Sequence, residues 1–340
     1  MKDDIWYDKD GCLSRNAMIS YCIGGRGVGK TFAYKEWCLK GEGQFIWIRR
    51  YGTEVKKVQK NFLNDLIKEG RIEPDEFKVE KNIVYKGKEV KGYLLPLSKA
   101  LLEKSVNYSD VTKIVFDECL LMPGVYTYLQ EEVWTLLELI ETVNRTREFR
   151  GEQPVKTICI GNKVDFDNPH FAYWNIEETD KRYSWGKGKK GLVLLENYDN
   201  EAFKEEKRRT KMGQLVAGTP YGDYAIENKA LLGSTAFIAV PPDGFRTYCL
   251  YNVKTDGRVY GVWICDDSNW YCMEKHVDGR PTLSCSIGEH EEKRYYMGSF
   301  KGIAKTIASR YSVGGLRFEN AKVKTDMMRM MFNFGGLKRV

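Results

Sequence analysis

Eight consecutive residues near the start of the chain have the types and spacing of a phosphate-binding loop. Segment 24–31 reads Gly-Gly-Arg-Gly-Val-Gly-Lys-Thr and fits the P-loop pattern G-x-x-x-x-G-K-[ST] at every position. Glycines allow several backbone N–H groups to converge on one anion, and the N-terminus of the following helix adds its positive end. Lys30 would contact the β- and γ-phosphates of ATP, and the Thr31 hydroxyl would bind Mg²⁺. The predicted nucleotide-binding residues are Gly24, Gly25, Gly27, Val28, Gly29, Lys30 and Thr31.

Two adjacent carboxylates end a second apolar segment. Asp117 and Glu118 follow Lys-Ile-Val-Phe at 113–116. Asp117 would hold Mg²⁺, and Glu118 would polarise the attacking water as a general base. A core strand that stops at a charged loop would look the same in isolation. Beside a complete P-loop, the doublet favours a hydrolysing motor ATPase over a small-molecule kinase, which has no use for an activated water.

A polar residue also ends the apolar segment 155–162. Asn162 could sense the γ-phosphate or orient the water, whereas a strand-terminal Asn is also a common turn residue. Both interpretations remain open at the level of sequence.

Two arginines close a predicted helix over 130–148. Its apolar stripe repeats at helical spacing and comprises Val133, Leu136, Leu137, Ile140 and Val143. Arg147 falls back onto this stripe, which predicts a structural or own-subunit role. Arg145 falls off the stripe and would project outward if the helix persists that far. An outward arginine at this place is a candidate arginine finger for a neighbouring subunit, and an ordinary surface arginine is the alternative.

These residues require a sheet that brings several strand ends to one edge. Strands are predicted at 17–23, 44–50, 113–118 and 155–162, with a short β-rich excursion at 77–95. Helices are predicted at 30–40, 53–69 and 130–148. This alternation predicts a doubly wound α/β domain, in which ligands bind at the carboxyl ends of the strands.

Composition limits the remaining possibilities. A chain of 340 residues with 42% hydrophobic residues suits two domains with sizeable cores. Its net charge of +7 is compatible with a polyanionic partner. No segment has the length and hydropathy of a membrane span, so no membrane partner is expected. The scattered cysteines and the polar start predict a reducing, cytosolic environment.

A structural zinc site is the less favoured interpretation of one cysteine-containing stretch. Its spacings do not match a usual zinc knuckle, and buried free thiols are the commoner arrangement. The residues concerned are Cys265, Cys272, His276, Cys285 and His290.

The second half of the chain carries weaker signals. Segment 199–211 is a predicted charged helix, for which a solvated linker and a nucleic-acid contact are equally compatible. Four strands at 235–240, 245–253, 258–265 and 270–275, followed by helices near 300–310 and 320–333, resemble the RNase H-like nuclease domain of terminases. The first of these strands contains no acid, so we expect no nuclease activity. The last part of the chain is basic and would either contact RNA, DNA or a portal, or only make the chain more soluble. Its basic residues are Lys322, Lys324, Arg329, Lys338 and Arg339.

Taken in order, several segments resemble the genome-packaging ATPases of small Bacillus-type podophages, which are compact relatives of terminase large subunits. The segments are 24–31, 45–51, 114–118, 141–148 and 158–162, with weaker continuation through 206–215 and 218–222. The resemblance implies an ASCE-type P-loop domain at 1–197, a charged helical linker at 198–228 and a vestigial RNase H-like domain at 229–340.

The resemblance also implies roles for individual residues. Lys30 and Thr31 match the P-loop pair, Asp117 the magnesium ligand, Glu118 the general base and Arg145 the arginine finger that acts in trans. Arg26 matches a P-loop arginine that switches contacts between states. Lys104 matches a basic residue that couples neighbouring subunits, and Arg147 is a further candidate for that coupling.

The partners that the resemblance implies are double-stranded DNA, the portal of an empty procapsid and further copies of the chain in a ring of five. In the best-known relatives, a phage-encoded structural RNA lies between ring and capsid. The protein would act in the cytoplasm of the infected host, transiently on the procapsid and not in the mature virion. Other classes stay open: a different P-loop translocase or helicase, a nucleoside kinase, or a nucleotide-gated assembly protein without turnover.

Overall fold

The structure, a computed structural model, describes residues 5–100, 108–121, 128–129, 131–164, 166, 168–177, 179–229, 237–255, 258–279, 282–284 and 297–333. The chain divides into two units. Unit 1 consists of Met1–Leu121, Glu131–Val164 and Ile176–Leu231, and unit 2 consists of Met122–Gln130, Asp165–Asn175 and Leu232–Val340. The helices of segment 198–228, predicted as a linker, therefore lie within unit 1.

A nine-stranded sheet forms the centre of unit 1. Its strands are β1 (Ile19–Gly24), β2 (Gln44–Arg49), β3 (Phe77–Glu80), β4 (Ile83–Lys86), β5 (Glu89–Pro96), β6 (Val111–Asp117), β7 (Lys156–Asn162), β8 (Tyr183–Trp185) and β9 (Val193–Tyr198). The spatial order is β3-β4-β5-β2-β6-β7-β1-β9-β8. Strands from β5 to β9 in this order pair in parallel, and the pairs β3–β4, β4–β5 and β8–β9 are antiparallel. The predicted doubly wound α/β fold is confirmed.

The helices of unit 1 are α1 (Asp10–Leu13), α2 (Lys30–Lys40), α3 (Gly52–Asn61), α4 (Asn64–Lys68), α5 (Glu132–Asn144), α7 (Glu201–Arg209), α8 (Lys211–Val216) and α9 (Pro220–Ala225), and α6 (Pro169–Trp174) belongs to unit 2. Two predicted helices were too long. The one at 53–69 is broken into α3 and α4 around Phe62 and Leu63. The one at 130–148 ends at Asn144, because Arg145 takes a φ of +39°, which an α-helix does not allow.

The central strands of unit 1 are covered on both faces. Every residue of β1 is buried, and so are the four middle residues of β2. Central strands of a parallel sheet have this continuous apolar character because helices cover both of their faces. Polar side chains on these strands are therefore concentrated where the strands end, and this places the charged residues of β2 and β6 at one edge.

A five-stranded sheet forms the centre of unit 2. Its strands are β10 (Thr247–Thr255), β11 (Arg258–Cys265), β12 (Trp270–Met273), β13 (Thr282–Ser284) and β14 (Leu316–Phe318), in the order β13-β10-β11-β12-β14. Helices α10 (Met297–Ser312) and α11 (Ala321–Asn333) complete it. Side chains of the sheet, of α10 and of α11 share one buried cluster, which includes Val262, Ile307 and Met327. This unit is α/β, as predicted.

Some predictions for unit 2 need correction or lie outside the described residues. The predicted strand 235–240 is reduced to a single bridge between Ile238 and Phe318 over its described part. Cys265 and Cys272 are buried in β11 and β12, whereas Cys285 and His290 lie outside the described residues. In the basic end, Lys324 is buried, and Lys338 and Arg339 lie outside the described residues. Among the described residues, no helix has both the length and the apolar character needed to cross a membrane.

Candidate active site

The P-loop connects β1 to α2 and has the backbone conformation that its glycines allow. Gly27 and Gly29 have φ values of +83° and +98°, in the left-handed region that favours glycine. A Cβ atom on Gly24 would lie 2.4 Å from the carbonyl oxygen of Tyr198, so this position also requires glycine. The buried Val28 accepts a hydrogen bond at its carbonyl from the Tyr7 N–H at 2.9 Å. The predicted loop is thus held from β9 and from the N-terminal segment.

Lys30 is the first residue of α2 and points back over the loop. Its Nζ donates to the carbonyl oxygens of Gly24 at 3.1 Å and of Gly25 at 2.8 Å. Only 5% of Lys30 is exposed, and burial lowers the pKa of its ammonium group from 10.5 to about 8. An anion bound by the loop would replace this lost hydration and favour the charged form.

The side chains of Thr31 and Asp117 meet across the ends of α2 and β6. The Thr31 hydroxyl donates to the Asp117 carboxylate at 3.0 Å. A hydroxyl and a carboxylate oxygen beside a phosphate-binding loop form the sparse oxygen donor set that Mg²⁺ uses in nucleotide sites. The two residues therefore fit the predicted magnesium site.

Arg49 is a member of the site for which sequence analysis predicted no role. This residue ends β2 and donates to Asp117 at 2.9 Å and to Glu118 at 2.6 Å. Burial alone would lower the pKa of Arg49, but attraction from Asp117, Glu118 and Glu54 outweighs it and raises the pKa. The signal in the sequence was a buried strand that ends in two arginines at the edge where the carboxylates lie.

Arg50 was likewise missed, and it fixes the backbone around Glu118. Its guanidinium forms a bidentate ion pair with Glu132 of α5, at 2.6 and 2.8 Å. It also donates to the carbonyl oxygens of Glu118 at 3.2 Å and of Cys119 at 2.8 Å. Both charged side chains are buried, so the ion pair connects the end of β2 to α5 and to the residues after β6.

Asn162 ends β7, which lies between β1 and β6 in the sheet. Its register partner in β1 is Gly24, so this amide lies at the level of the P-loop. The buried Tyr224 hydroxyl of α9 makes no hydrogen bond of ordinary geometry within the described residues. Burial raises the pKa of Tyr224, and the Arg26 guanidinium and the Asn162 side chain oppose this rise.

The remaining predicted site residues occupy different environments. Arg26 has an exposed side chain at the tip of the P-loop. Arg145 is exposed where α5 ends. Arg147 is buried and donates to the carbonyl oxygens of Ser109 and Val111, the latter at 2.7 Å, so its guanidinium binds the start of β6 in the same chain. Lys104 lies outside the described residues.

The matching family model and three of the known proteins similar to this chain are described as DNA encapsidation or packaging proteins or motors. The model of the family described as podovirus DNA encapsidation protein (Gp16) matches residues 1–333. A DNA packaging protein of Bacillus phage B103 is 32% identical over 326 residues, which cover 92% of this chain and 96% of that protein. The structure of the bacteriophage phi29 viral genome packaging motor assembly matches at 28% identity and a TM-score of 0.64, over 96% of this chain and 99% of that chain. The N-terminal domain of the DNA packaging ATPase from bacteriophage phi29 matches at 35% identity and a TM-score of 0.50, over 58% of this chain and 98% of that chain.

Proposed function

The chain belongs to the podovirus DNA encapsidation protein family, and from this premise we propose that it is the ATPase of a viral genome-packaging motor. In this proposal, ATP hydrolysis with Mg²⁺ drives translocation of double-stranded DNA into a procapsid. The observation that carries the proposal is the convergence of Lys30, Thr31, Asp117 and Glu118 at the carboxyl edge of the parallel strands of one sheet. This is the arrangement that ATP hydrolysis requires, because phosphate, metal and water must meet there.

The chain's own residues divide the reaction among them. The N–H groups of the P-loop and the Lys30 ammonium bind the phosphates, while Thr31 and Asp117 hold Mg²⁺, which neutralises charge on the phosphate oxygens when bound. Glu118 accepts the proton of the attacking water, and Asn162 orients that water or contacts the γ-phosphate. In this structure a Glu118 carboxylate oxygen accepts a hydrogen bond from Arg49 at 2.6 Å. The side chain must give up this partner before the same oxygen can accept from the attacking water.

The proposal extends to a homomeric ring of five subunits docked on the portal, with a structural RNA as a further partner. Arg145 supports this part, because its side chain is exposed at the end of α5. In the ring it would act in trans as an arginine finger, with Arg26 changing contacts between nucleotide states. Lys104 and Arg147 would couple subunits, Arg147 by fixing the start of β6 within its own subunit.

The domain boundaries predicted from sequence, 1–197, 198–228 and 229–340, remain part of the proposal. We also propose that the last of these regions is RNase H-like and has no nuclease activity. The protein would act on the procapsid in the host cytoplasm.

ATP hydrolysis by the full chain at fixed salt, with and without double-stranded DNA, tests the function. We expect DNA to stimulate turnover, and the rate per subunit to rise steeply with protein concentration as rings form. Turnover that ignores both DNA and concentration would indicate a self-contained P-loop enzyme. Binding of ATP without turnover, under conditions in which the ring assembles, would indicate a nucleotide-gated assembly protein.

A further inference from the structure

Helices α7, α8 and α9 lie beside the P-loop and are joined to one another by side-chain hydrogen bonds. We call residues 200–229, which contain them, the helical segment. Each helix begins at a capping side chain: Asn200 accepts from the Phe203 N–H at 3.0 Å, Thr210 from Gly213 at 3.0 Å and Thr219 from Gly222 at 3.1 Å. Arg208 of α7 donates to Glu227 at 2.9 and 2.6 Å, which ties the first helix to the residues after the last one.

One lysine of the helical segment binds the P-loop backbone directly. Lys207 Nζ donates to the carbonyl oxygen of Arg26 at 2.5 Å and to that of Ala225 at 2.7 Å. Its ammonium also lies 5.2 Å from the ring centre of Phe203, a side chain that approaches Gly27. Lys207 therefore joins α7, the end of α9 and the tip of the P-loop at one point.

The position of this contact matters because a peptide unit is planar. In a trans peptide, the carbonyl of Arg26 and the N–H of Gly27 point in opposite directions. A donor that fixes the Arg26 carbonyl therefore also fixes the Gly27 N–H, which points away from that donor and is one of the loop N–H groups that can bind phosphate. Gly27 has a φ of +83°, so the direction of this N–H depends on contacts around the loop and not on a side chain of its own.

Two further contacts connect the helical segment to the same edge of the sheet. Asn228 donates to the carbonyl oxygen of Tyr198, the residue whose carbonyl lies against Gly24, at 3.1 Å. Tyr224 and Ala225 pack on Val164, two residues beyond Asn162. The segment thus contacts β9, the P-loop and the residues after β7, which border the proposed nucleotide site.

We propose that Lys207 is a positioning residue for the nucleotide site: it orients the Gly27 N–H towards phosphate and couples the helical segment to nucleotide binding. Coupling between two sites is reciprocal, so nucleotide must in turn stabilise the Lys207 contact and slow the opening of residues 225–229. This inference rests on the proposed ATPase function and adds to it a route by which the bound nucleotide restrains the segment after β9.

The test measures binding of ADP with Mg²⁺ to the full chain by calorimetry, and hydrogen exchange of residues 225–229 with and without ADP. Lys207→Met keeps the length and packing of the side chain and removes its donors, whereas Lys207→Arg keeps a charged donor. Lys57→Met, at an exposed position on α3, is the matched control. We expect Lys207→Met to weaken ADP binding roughly tenfold, the value of one charge-assisted hydrogen bond. It should also abolish the protection of residues 225–229 by ADP.

Lys207→Arg should restore most of both effects, and Lys57→Met should behave as wild type. Wild-type affinity in Lys207→Met would overturn the inference. Weaker binding with undiminished protection would also overturn it, because Lys207 would then act only as a nearby charge. If the wild-type chain itself binds no nucleotide, the proposed ATPase function fails and the inference fails with it.

Discussion

Glu118 has an unusual backbone conformation for the residue assigned as general base. Its φ is +56°, in the left-handed region that costs a non-glycine residue about 1–3 kcal/mol. Two hydrogen bonds stabilise this turn, one from the Cys119 N–H to the Ile160 carbonyl at 2.9 Å and one from Arg50 to the Glu118 carbonyl at 3.2 Å. The main chain is fixed while the side chain is largely exposed, so the carboxylate can exchange Arg49 for water without a change of fold.

Replacing this carboxylate tests its role at constant shape. Glu118→Gln should bind ATP with Mg²⁺ at close to wild-type affinity and lose about 10²–10⁴-fold in hydrolysis rate, because an amide cannot accept the proton of water. Single-turnover hydrolysis and nucleotide titration separate the two effects. Glu89→Gln, at an exposed position of β5, is the control, and full turnover in Glu118→Gln would remove the assigned base.

The buried Lys30 predicts a pH dependence. Burial holds its pKa at about 8, below the ordinary 10.5, so between these values the unfolded chain binds more protons and this group's contribution to stability rises with pH. Phosphates favour the charged form, so nucleotide binding above pH 8 must take up a proton. Affinity for ADP should therefore fall by up to about tenfold per pH unit above 8.

Calorimetry in two buffers of different ionisation enthalpy measures this uptake, at pH 7.2 and at pH 8.7. We expect little uptake at the lower value and close to one proton at the higher. Lys113 provides the control, since burial lowers its pKa to about 8 as well but it lies near the start of β6, towards the opposite end of that strand from Asp117. Lys113→Met should keep the uptake, and identical heats in both buffers at pH 8.7 would contradict the prediction.

At the scale of secondary-structure elements, a buried ion pair between Arg50 and Glu132 connects the end of β2 to α5. The side chains of Arg50 and Glu132 are 1% and 0% exposed. Because Arg50 also donates to the carbonyl oxygens of Glu118 and Cys119, the ion pair fixes the residues that directly follow β6. Removing one partner leaves the other charge buried without compensation, which is far costlier than loss of a surface ion pair.

The expected cost of Arg50→Met is about 3–5 kcal/mol in the free energy of unfolding, measured by urea denaturation. The double variant Arg50→Met/Glu132→Leu should recover most of it, because it removes both charges. Arg71→Met disrupts an ion pair with Glu36 in which the arginine is 53% exposed, and should cost less than about 1 kcal/mol. A double variant as unstable as the single one would show that packing, not charge, accounts for the loss.

At the scale of the assembled molecule, Arg145 distinguishes a ring from a set of independent subunits. If it completes the site of a neighbour, each Arg145→Ala subunit disables an intact site next to it. Rings of pure Arg145→Ala should lose about 10³-fold or more in hydrolysis rate, the usual value of an arginine finger. If the sites of a ring also fire in turn, one disabled site stalls the others, and equal mixtures with wild type should retain clearly less than half of the wild-type rate.

Mixing experiments at fixed total protein measure this effect, with Arg150→Ala as the control because Arg150 is an exposed arginine six residues past the end of α5. Activity that falls only in proportion to the mutant content would show that one disabled site does not stall its ring. Equal mixtures of Arg145→Ala with Glu118→Gln then decide: a finger that acts in trans restores hydrolysis at Arg145→Ala sites beside Glu118→Gln subunits, whereas a residue that acts within its own subunit restores none.

Much of the site could be predicted from sequence because its chemistry is encoded locally. A P-loop is a contiguous segment whose glycines, Lys30 and Thr31 need only a strand before and a helix after, and Asp117–Glu118 is a doublet at the end of one strand. The sequence also predicted the parallel sheet, since buried strands alternate with amphipathic helices. Edge strand β8 and its neighbour β9 were missed, because short segments on either side of a glycine- and lysine-rich stretch carry little periodicity.

Only the tertiary structure decided which distant residues meet these motifs. The contacts of Arg49 with Glu118, of Arg50 with Glu132 and of Lys207 with the Arg26 carbonyl join positions that are far apart in the chain. The end of α5 at Asn144 was decided in the same way, by a single residue whose φ no propensity predicts. The physical reason is that a motif fixes the local backbone, whereas ion pairs and loop orientation depend on strand order and register, which arise only when the whole sheet is assembled.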